Sequence, residues 1–400
     1  MKGKYRVLAL MTGAQAGASI VQQAVGVLAP FLILQFGLSQ AQLGSMFTCL
    51  YLGSALFTAF SGVLTDRFGE RTMVAVSGGV MTFALVLAAL VANYTWLVAC
   101  MGLFGAGYAA STPAGGRAIL SWFDRDRGFA MGIRQTGVPV GGLVGAIVLP
   151  LAALHLGGYR AALLVAAVLV AVPTAIACIA YSEAPGDRPP PSRFREVVAG
   201  MRRLARDPRL IAVTLTCMTL VVAQLAMNGF LTVTAVQVIG VTPALAATAF
   251  ACAFGAATVA RLFWGWYSDR FMRENRIALL AVLCGLSACA SLSFALLRPS
   301  LAVFLIPAAL FIGFCGAGWN GVMAAALAEI GGADRAGSAL GLTLTAIFGA
   351  SAVGPLVFGT IADHTSLDTA WTVNAAIGAL GVLPVLWLRS HQRRAKEQAA

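Results

Sequence analysis

Charge is what this sequence has least of. Only 10% of its 400 residues are Asp, Glu, Lys or Arg, whereas 59% are hydrophobic. A soluble domain carries roughly 25% charged residues. A water-soluble globule is therefore excluded. Apolar stretches near the ~20 residues that span a bilayer recur along the chain. The composition indicates an all-α polytopic membrane protein.

Motifs of enzymes and of metal or nucleotide sites are also missing. The chain contains no Walker A loop, dinucleotide-binding glycine pattern, nucleophile elbow or zinc-ligand spacing. We therefore expect neither an enzyme nor an ATP-driven pump, with no cofactor and no metal. The eight cysteines lie in apolar runs without a CxxC pair, which favours small buried side chains over disulfides. The net charge of +12 comes without basic stretches interleaved with aromatics, so no nucleic-acid partner is expected.

Charges, Gly/Pro clusters and polar pairs divide the chain into about twelve spans. The predicted limits are 6–36, 41–62, 73–92, 96–119, 128–152, 158–181, 210–238, 244–267, 276–297, 301–326, 337–362 and 369–389. Of the 27 Lys and Arg residues, 22 fall in segments on one side, two on the other and three within spans. Positive charge marks cytoplasmic loops, so both termini are predicted to face the cytoplasm.

Three domains follow from this division. Residues 1–181 form a six-helix half, 182–209 a cytoplasmic linker, and 210–400 a second six-helix half with a short tail. The linker begins with a Pro-rich stretch, and its basic second part is predicted to form a helix on the inner leaflet.

The two halves repeat each other. GVLTDRF at 62–68 matches GWYSDRF at 265–271, and GLFGAGY at 102–108 matches GFCGAGW at 313–319. The glycine that follows the first copy, Gly69, has no counterpart in the second, so we expect unequal turns. Halves repeated in the same orientation are related by an axis along the membrane normal, and the ligand site lies between them near the midplane.

The charged repeat identifies a family resemblance. Residues of the pattern GxxxDRxGxR resemble the loop between helices 2 and 3 of the major facilitator superfamily; they are Gly62, Asp66, Arg67, Gly69 and Arg71, with a weaker copy at Gly265, Asp269 and Arg270. The resemblance covers essentially the whole chain. It implies the twelve-helix fold of that superfamily and secondary transport by alternating access. We expect a monomer in the inner membrane of a bacterial cell.

A finer resemblance concerns the branch. Pro113-Ala114, Trp122-Phe123, Arg127-Gly128 and TGVPVGG from Thr136 are similar to monocarboxylate, oxalate/formate and cyanate-type anion carriers. In monocarboxylate carriers the carboxylate-binding arginine of helix 8 lies in an RxxxG context, which Arg261 and Gly265 match. The aspartate that precedes it there by four residues is Ala257 here, so the resemblance does not extend to a proton-relay aspartate.

Three arginines lie within spans. Inserting a charged side chain into the bilayer costs at least ~2.5–3.5 kcal/mol of free energy, so each of them needs a partner or a role. Arg261 is interpreted as the fork of donors that binds a substrate carboxylate; the alternative is a snorkelling arginine paired with Asp269. Arg134 is a second anion contact or a residue that orders the inner gate. Arg117 is expected to have a structural partner such as Asp66 or Asp124.

Polar side chains follow one face of the first helix of each half. Gln15 in span 1 matches Gln224 in span 7 at an offset of 209, and Asn228 continues the second stripe. The functional interpretation is two walls of a hydrated cavity; the alternative is hydrogen bonding between helices. Tyr108 and Trp319 end the glycine repeats of spans 4 and 10. With Asn320 they bound a small pocket or simply pack.

No Asp or Glu lies in the middle of any predicted span, so the three arginines favour an anion. The first hypothesis is an anion transporter of monocarboxylate type, with a proton as a candidate coupling ion. Residues of the two charged loops would latch the inward side; they are Gly62, Asp66, Arg67, Arg71, Arg117, Asp269 and Arg270. The alternatives are a drug or metabolite exporter of the same fold, suggested by the glycines and proline of TGVPVGG, and a membrane sensor that does not transport.

Overall fold

The computed structural model describes residues 2–123, 127–182 and 205–399, and all elements assigned there are helices. Span 1 consists of Lys2–Ala24, a 3-10 turn at Val25–Leu28 and Ala29–Phe36. Spans 2 to 6 are Gln40–Phe68, Glu70–Leu90, Tyr94–Trp122, Arg127–His155 and Gly158–Ala180.

The second half repeats this plan. Spans 7 and 8 are Pro208–Gln237 and Pro243–Phe271, and span 9 is Arg276–Leu296 after a 3-10 turn at Arg273–Asn275. Span 10 begins with the 3-10 turn Pro299–Phe304 and the helix Leu305–Gly316, and the helix Asn320–His364 completes it and continues through span 11. Leu367–Leu380 and Leu383–Ala399 form span 12. The linker helix predicted within 182–209 lies largely outside the described residues.

Eleven helical segments of the described chain are long and apolar enough to cross a membrane. Gln40–Phe68, the remaining span, is 29 residues long and packs between spans 4 and 11. The predicted twelve-span polytopic α fold is confirmed. Because the number of spans is even, the described ends of the chain, Lys2 and Ala399, lie at one end of the bundle, which we call the termini side; the opposite end is the far side.

Helix starts are set by short polar side chains that accept hydrogen bonds from backbone amides of the first turn. Ser39 begins span 2 and Asn93 begins span 4 in this way, and Asp207, Thr242 and Ser366 do the same for spans 7, 8 and 12. Each directly precedes an apolar run, which explains why the predicted starts of these spans lie within a few residues of the observed ones.

The turn between spans 2 and 3 is shorter than predicted. We expected it between residues 62 and 73, but span 2 continues to Phe68 and span 3 begins at Glu70. Gly69 alone makes the turn, with φ 83° and ψ 165°, a conformation open essentially only to glycine. In the second half Met272 occupies the matching position at φ −127°, and a 3-10 turn follows. The turns are therefore unequal.

The predicted loop between spans 10 and 11 is wrong. The backbone is helical from Asn320 to His364, whereas the sequence predicts a loop at 327–336. That stretch contains no proline, so no residue there lacks the amide that continues a helix. The break in this region comes earlier, at residues 317–319, within the repeated glycine segment.

The repeated glycines pack helices within each half. A Cβ on Gly105 would overlap the backbone of Leu50 in span 2, and a Cβ on Gly313 would overlap the backbone of Ala253 in span 8. Because these positions lack a side chain, spans 4 and 10 lie directly against spans 2 and 8.

Candidate functional site

The break in span 10 marks the candidate site. Ala317, Gly318 and Trp319 separate the helix ending at Gly316 from the helix beginning at Asn320. At membrane depth, non-helical backbone is tolerated only where protein buries it or where it lines a cavity. The carbonyl oxygen of Ala317 accepts a hydrogen bond from Arg261 Nε at 3.3 Å. The break therefore places an unwound carbonyl group beside an arginine of span 8.

Arg261 also connects the two halves. It is half-buried, and its Nη1 donates to the carbonyl oxygen of Gln135 in span 5 at 3.3 Å. Both acceptors are neutral and both bonds are long. Asp269, the partner considered in the alternative interpretation, instead lies 2.8 Å from Arg276 Nη2. No described carboxylate pairs with Arg261, so its charge is available to a ligand.

Arg134 lies deeper, inside the first half, with only 1% of its surface exposed. Its Nη2 donates to Gln15 Oε1 at 2.6 Å and to the carbonyl oxygen of Ser111 at 3.0 Å. Gly115 makes room for it, since a Cβ there would lie 2.7 Å from Nε and from Nη2. In this conformation Arg134 contacts Gln15 from the interior of the first half. Its own side chain does not face the boundary between the halves.

Arg134 determines how Gln15 is oriented. A guanidinium group can only donate hydrogen bonds, so Oε1 of Gln15 must face it. The amide nitrogen then points to Ser19 Oγ at 3.2 Å and to the Tyr108 hydroxyl at 3.4 Å. Tyr108 therefore contacts the amide group that Arg134 orients.

The second half contains the matching pair. Trp319 Nε1 donates to Gln224 Oε1 at 3.1 Å, as Gln15 meets Tyr108 in the first half. An indole nitrogen can only donate a hydrogen bond, so the side-chain oxygen of Gln224 must face Trp319. The amide nitrogen of Gln224 is then left for other acceptors. Asn320 follows directly, and its amide nitrogen is buried without a partner among the described residues.

Asn228 lies where spans 1 and 7 cross. It is fully buried, and a Cβ on Gly26 would overlap its carbonyl oxygen. One turn further, Thr232 Oγ1 donates to the carbonyl oxygen of Gly26 at 2.6 Å. In this conformation Asn228 and Thr232 pack span 7 against span 1, whereas Gln224 lies beside the break in span 10.

The far side is closed by contacts between spans 2 and 11. Asp363 accepts hydrogen bonds from the backbone amides of Gln40 and Ala41, both at 2.7 Å. Thr48 Oγ1 donates to the carbonyl oxygen of Ala352 at 2.5 Å. In the described part of the chain, hydrogen bonds therefore join the two halves at the far side and down to the depth of Arg261.

The predicted latch residues of the first half lie at the termini side. Arg117 Nε forms an ion pair with Glu70 Oε1 at 3.0 Å, a partner that the sequence did not suggest. Arg67 and Arg71 are exposed. The side chain of Asp66 and the surroundings of Gly62 are not described, and Asp124 lies outside the described residues.

A larger ion-pair group lies at the matching place in the second half. Arg276 is buried and contacts Asp269 Oδ1 and Glu329 Oε1, each at 2.8 Å, and Ser268 Oγ at 2.9 Å. Arg270, predicted with the latch, is exposed. The bonds described for these groups join spans of the same half.

Sequence reasoning missed the break in span 10 and the space at Gly115. The glycines of the segment 316–319 were interpreted as a packing motif, and Trp319 as the boundary of a pocket or a packing residue, without a break in the helix. Gly115 is one of two adjacent glycines, and only its neighbours in space distinguish it from Gly116.

Known proteins resemble this chain both in sequence and in structure. A sequence model of the Major Facilitator Superfamily matches residues 11–354. An uncharacterized MFS-type transporter of Mycobacterium tuberculosis is 26% identical over 402 residues, covering 96% of this chain and 85% of that protein. A bacterial homolog of the human lysosomal transporter Spinster has a similar structure, with a TM-score of 0.75 at 17% identity, covering 96% of this chain and 95% of that one.

Two relatives that match shorter parts of the chain are named for different substrates. A hexuronate transporter of Bacillus subtilis is 27% identical over 124 residues, 31% of this chain and 29% of that protein. A fujikurins efflux protein of Gibberella fujikuroi is 32% identical over 135 residues, 33% of this chain and 28% of that protein.

Proposed function

The chain belongs to the major facilitator superfamily, and on that premise we propose that it transports a small organic anion of the monocarboxylate class by alternating access. The observation that carries the proposal is Arg261. It is a half-buried guanidinium group at the boundary of the halves, held by two long bonds to carbonyl oxygens and by no described carboxylate.

A carboxylate is the ligand that suits this arginine best. Charge-assisted hydrogen bonds are shorter and roughly twice as strong as neutral ones, and a guanidinium group can bind a carboxylate through two nitrogens. A substrate carboxylate would compete with the carbonyl oxygens of Gln135 and Ala317 for the same donors. Because Gln135 belongs to span 5, that competition loosens a bond between the halves when the substrate binds.

The surrounding side chains provide further hydrogen bonds. Trp319 holds the oxygen of Gln224, which leaves the amide nitrogen of Gln224 for an acceptor, whereas the amide nitrogen of Gln15 already donates to Ser19 and Tyr108. With no acid in the middle of any span, a cation has no counter-charge at this depth. Hexuronate, named for one matched relative, is an organic anion, which supports the substrate class.

Coupling to protons has no dedicated carboxylate in the middle of the spans. If transport is a proton symport, the proton travels on the substrate carboxylate or on an acid at a helix end, such as Glu70 or Glu329. Export of a larger metabolite is the second candidate, favoured by the match to the fujikurins efflux protein.

The test is uptake of labelled anions into proteoliposomes, with monocarboxylates, dicarboxylates and lipophilic cations as the panel. We expect Arg261→Ala to lower monocarboxylate uptake by about 10- to 150-fold, since a hydrogen bond to a charged group contributes about 1.5–3 kcal/mol. Arg261→Lys keeps the charge but loses the fork, so it should restore uptake only partly.

The matched control is Arg160→Ala, an arginine at the far end of span 6, whose uptake should equal that of the unmodified protein. Intact monocarboxylate uptake by Arg261→Ala would contradict the proposal. Outward movement of lipophilic compounds in the same vesicles would instead support export.

A further inference from the structure

One corner of the termini side combines exposed arginines with an exposed apolar surface. It is formed by the start of span 7, Pro208–Gln237, and by the last segment of span 12, Leu383–Ala399, which packs against it. Arg209 is exposed at the start of the first helix, and Arg389 is exposed in the second. We call this surface the span 7/12 corner.

The two arginines of the corner lie at similar depth. Thr216 Oγ1 donates a hydrogen bond to the carbonyl oxygen of Gly381 at 3.0 Å, which fixes how the two helices lie against each other. Spans 7 and 12 run in opposite directions. Arg209 precedes Thr216 and Arg389 follows Gly381, so at ~1.5 Å per residue both arginines lie about 10–12 Å from that contact, toward the termini side. Neighbouring helix axes are about 8–10 Å apart, a spacing that allows both guanidinium groups to contact one small anionic group.

Arg389 lies just beyond the edge of the hydrocarbon core. From Leu367, where span 12 begins, to Trp387 the chain rises about 30 Å, which is the thickness of that core. Trp387 is 45% exposed, and tryptophan is enriched where hydrocarbon meets the head groups. Leu383 and Leu386, on the hydrocarbon side of Arg389, are also exposed. The corner is therefore apolar at acyl-chain depth and basic at head-group depth.

The described part of the chain does not neutralise this basic surface. The ion pairs described at helix ends belong to other arginines. Asp207, the acid nearest to Arg209 in the sequence, caps span 7 by accepting a hydrogen bond from the backbone amide of Arg209 at 2.8 Å. Beyond Arg389 the same helix adds more basic than acidic residues; they are Arg393, Arg394, Lys396 and Glu397.

We propose that the span 7/12 corner binds one anionic phospholipid, whose phosphate group contacts Arg209 and Arg389 and whose acyl chains lie along Leu383 and Leu386. A guanidinium group binds phosphate oxygens through two parallel hydrogen bonds. A zwitterionic phospholipid carries the same phosphate, but its ammonium group is repelled by the arginines, so the corner selects a head group with net negative charge. A free phosphate ion has no acyl chains to cover the exposed leucines.

The test follows the thermal unfolding of the purified full-length protein in a neutral detergent, without any transport measurement. Phosphatidylglycerol, phosphatidylcholine and soluble glycerol phosphate are titrated separately at constant ionic strength. A ligand that binds only the folded state raises the unfolding midpoint, so each titration gives an apparent Kd. We expect the midpoint to rise with phosphatidylglycerol and to stay constant with the other two.

Variants separate this corner from a general effect of charge. Arg209→Gln and Arg389→Gln should each weaken the apparent affinity for phosphatidylglycerol about fivefold, and the double variant more than ~10-fold, because each basic residue at the membrane surface contributes an attraction of that size. Arg389→Lys keeps the charge and should retain most of the affinity. Arg6→Gln is the matched control: it removes an exposed arginine at the termini side of the first half and should leave the affinity unchanged. Because these side chains are exposed, the midpoints without lipid should match that of the unmodified protein.

An equal rise of the midpoint with phosphatidylcholine or with glycerol phosphate would overturn the proposal, and so would a double variant that keeps its affinity for phosphatidylglycerol. An equal loss of affinity in Arg6→Gln would indicate a general effect of net charge and would overturn it as well. None of these results bears on Arg261, so the proposed transport function is tested separately.

Discussion

Gly115→Ala tests whether Arg134 acts by orienting Gln15. The added Cβ would lie 2.7 Å from Nε and Nη2 of Arg134 and 3.0 Å from Cζ. Ordinary contact between such atoms begins near 3.5 Å, so the guanidinium group must move by about 0.8 Å. It cannot do so freely, because Gln15 and the carbonyl oxygen of Ser111 hold it.

The displacement is large enough to break the bond to Gln15. Moved along that bond, Nη2 would go from 2.6 Å to about 3.4 Å from Oε1, beyond the usual limit of about 3.2 Å. A hydrogen bond to a charged group contributes about 1.5–3 kcal/mol, which corresponds to about 10- to 150-fold in an equilibrium constant. Gln15 can then rotate, and we expect substrate affinity to fall by about tenfold or more.

The assay is the concentration dependence of uptake in proteoliposomes, using the best anion of the panel. Gly115→Ala should raise KM more than it lowers the maximal rate, and adding Gln15→Ala should make it no worse, because both changes remove the same interaction. Gly116→Ala is the matched control: its Cβ lies 3.7 Å from Met131 Cε, an ordinary contact, and it changes helix propensity equally. Equal KM values for the two alanine variants, or additive effects with Gln15→Ala, would refute the reasoning.

Three further predictions concern the helix ends. Glu70→Arg and Arg117→Glu should each lower the thermal midpoint, since breaking a largely buried ion pair costs about 3–5 kcal/mol, and the double exchange should recover much of the loss; a double variant no better than either single one would count against the pair. Gly69→Ala should destabilise the protein by about 1–3 kcal/mol through its backbone conformation, whereas Gly265→Ala, with nothing near its Cβ, should be neutral in the same melt. Asp363→Asn should weaken the cap on span 2 by about 1 kcal/mol and raise the labelling of Cys49 in that span by about fivefold; unchanged labelling would show that this contact does not hold the far side closed.

The number and placement of the spans could be predicted because each apolar run is bounded by polar capping residues or charges. Span 8, predicted at 244–267, is observed at Pro243–Phe271. The ends extend beyond the apolar run because charged residues continue the helix into the interface region. That is why the segment around Asp66 lies on a helix and Gly69 alone makes the turn.

The candidate site was predicted in part. Gln15 with Tyr108, and Gln224 with Trp319, come together because polar residues at equivalent places in two repeated halves face the same axis. The burial of Arg134 could not be predicted, because it depends on which helices of the first half surround span 5. Spacing along one helix carries no information about that.

The two halves carry opposite charges at two equivalent positions, a difference that a search for identical residues does not reveal. In the first half, Glu70 at the start of span 3 pairs with Arg117; in the second, Arg276 at the start of span 9 pairs with Glu329. The offsets are 206 and 212, close to the 203 to 211 of the other repeats, so the positions correspond while the charges are exchanged. Two identical copies would place like charges at equivalent positions around the axis between the halves. Exchanged charges instead give Glu70 and Arg276, and Arg117 and Glu329, opposite signs at equivalent positions, which is less repulsive across that axis than two like charges would be.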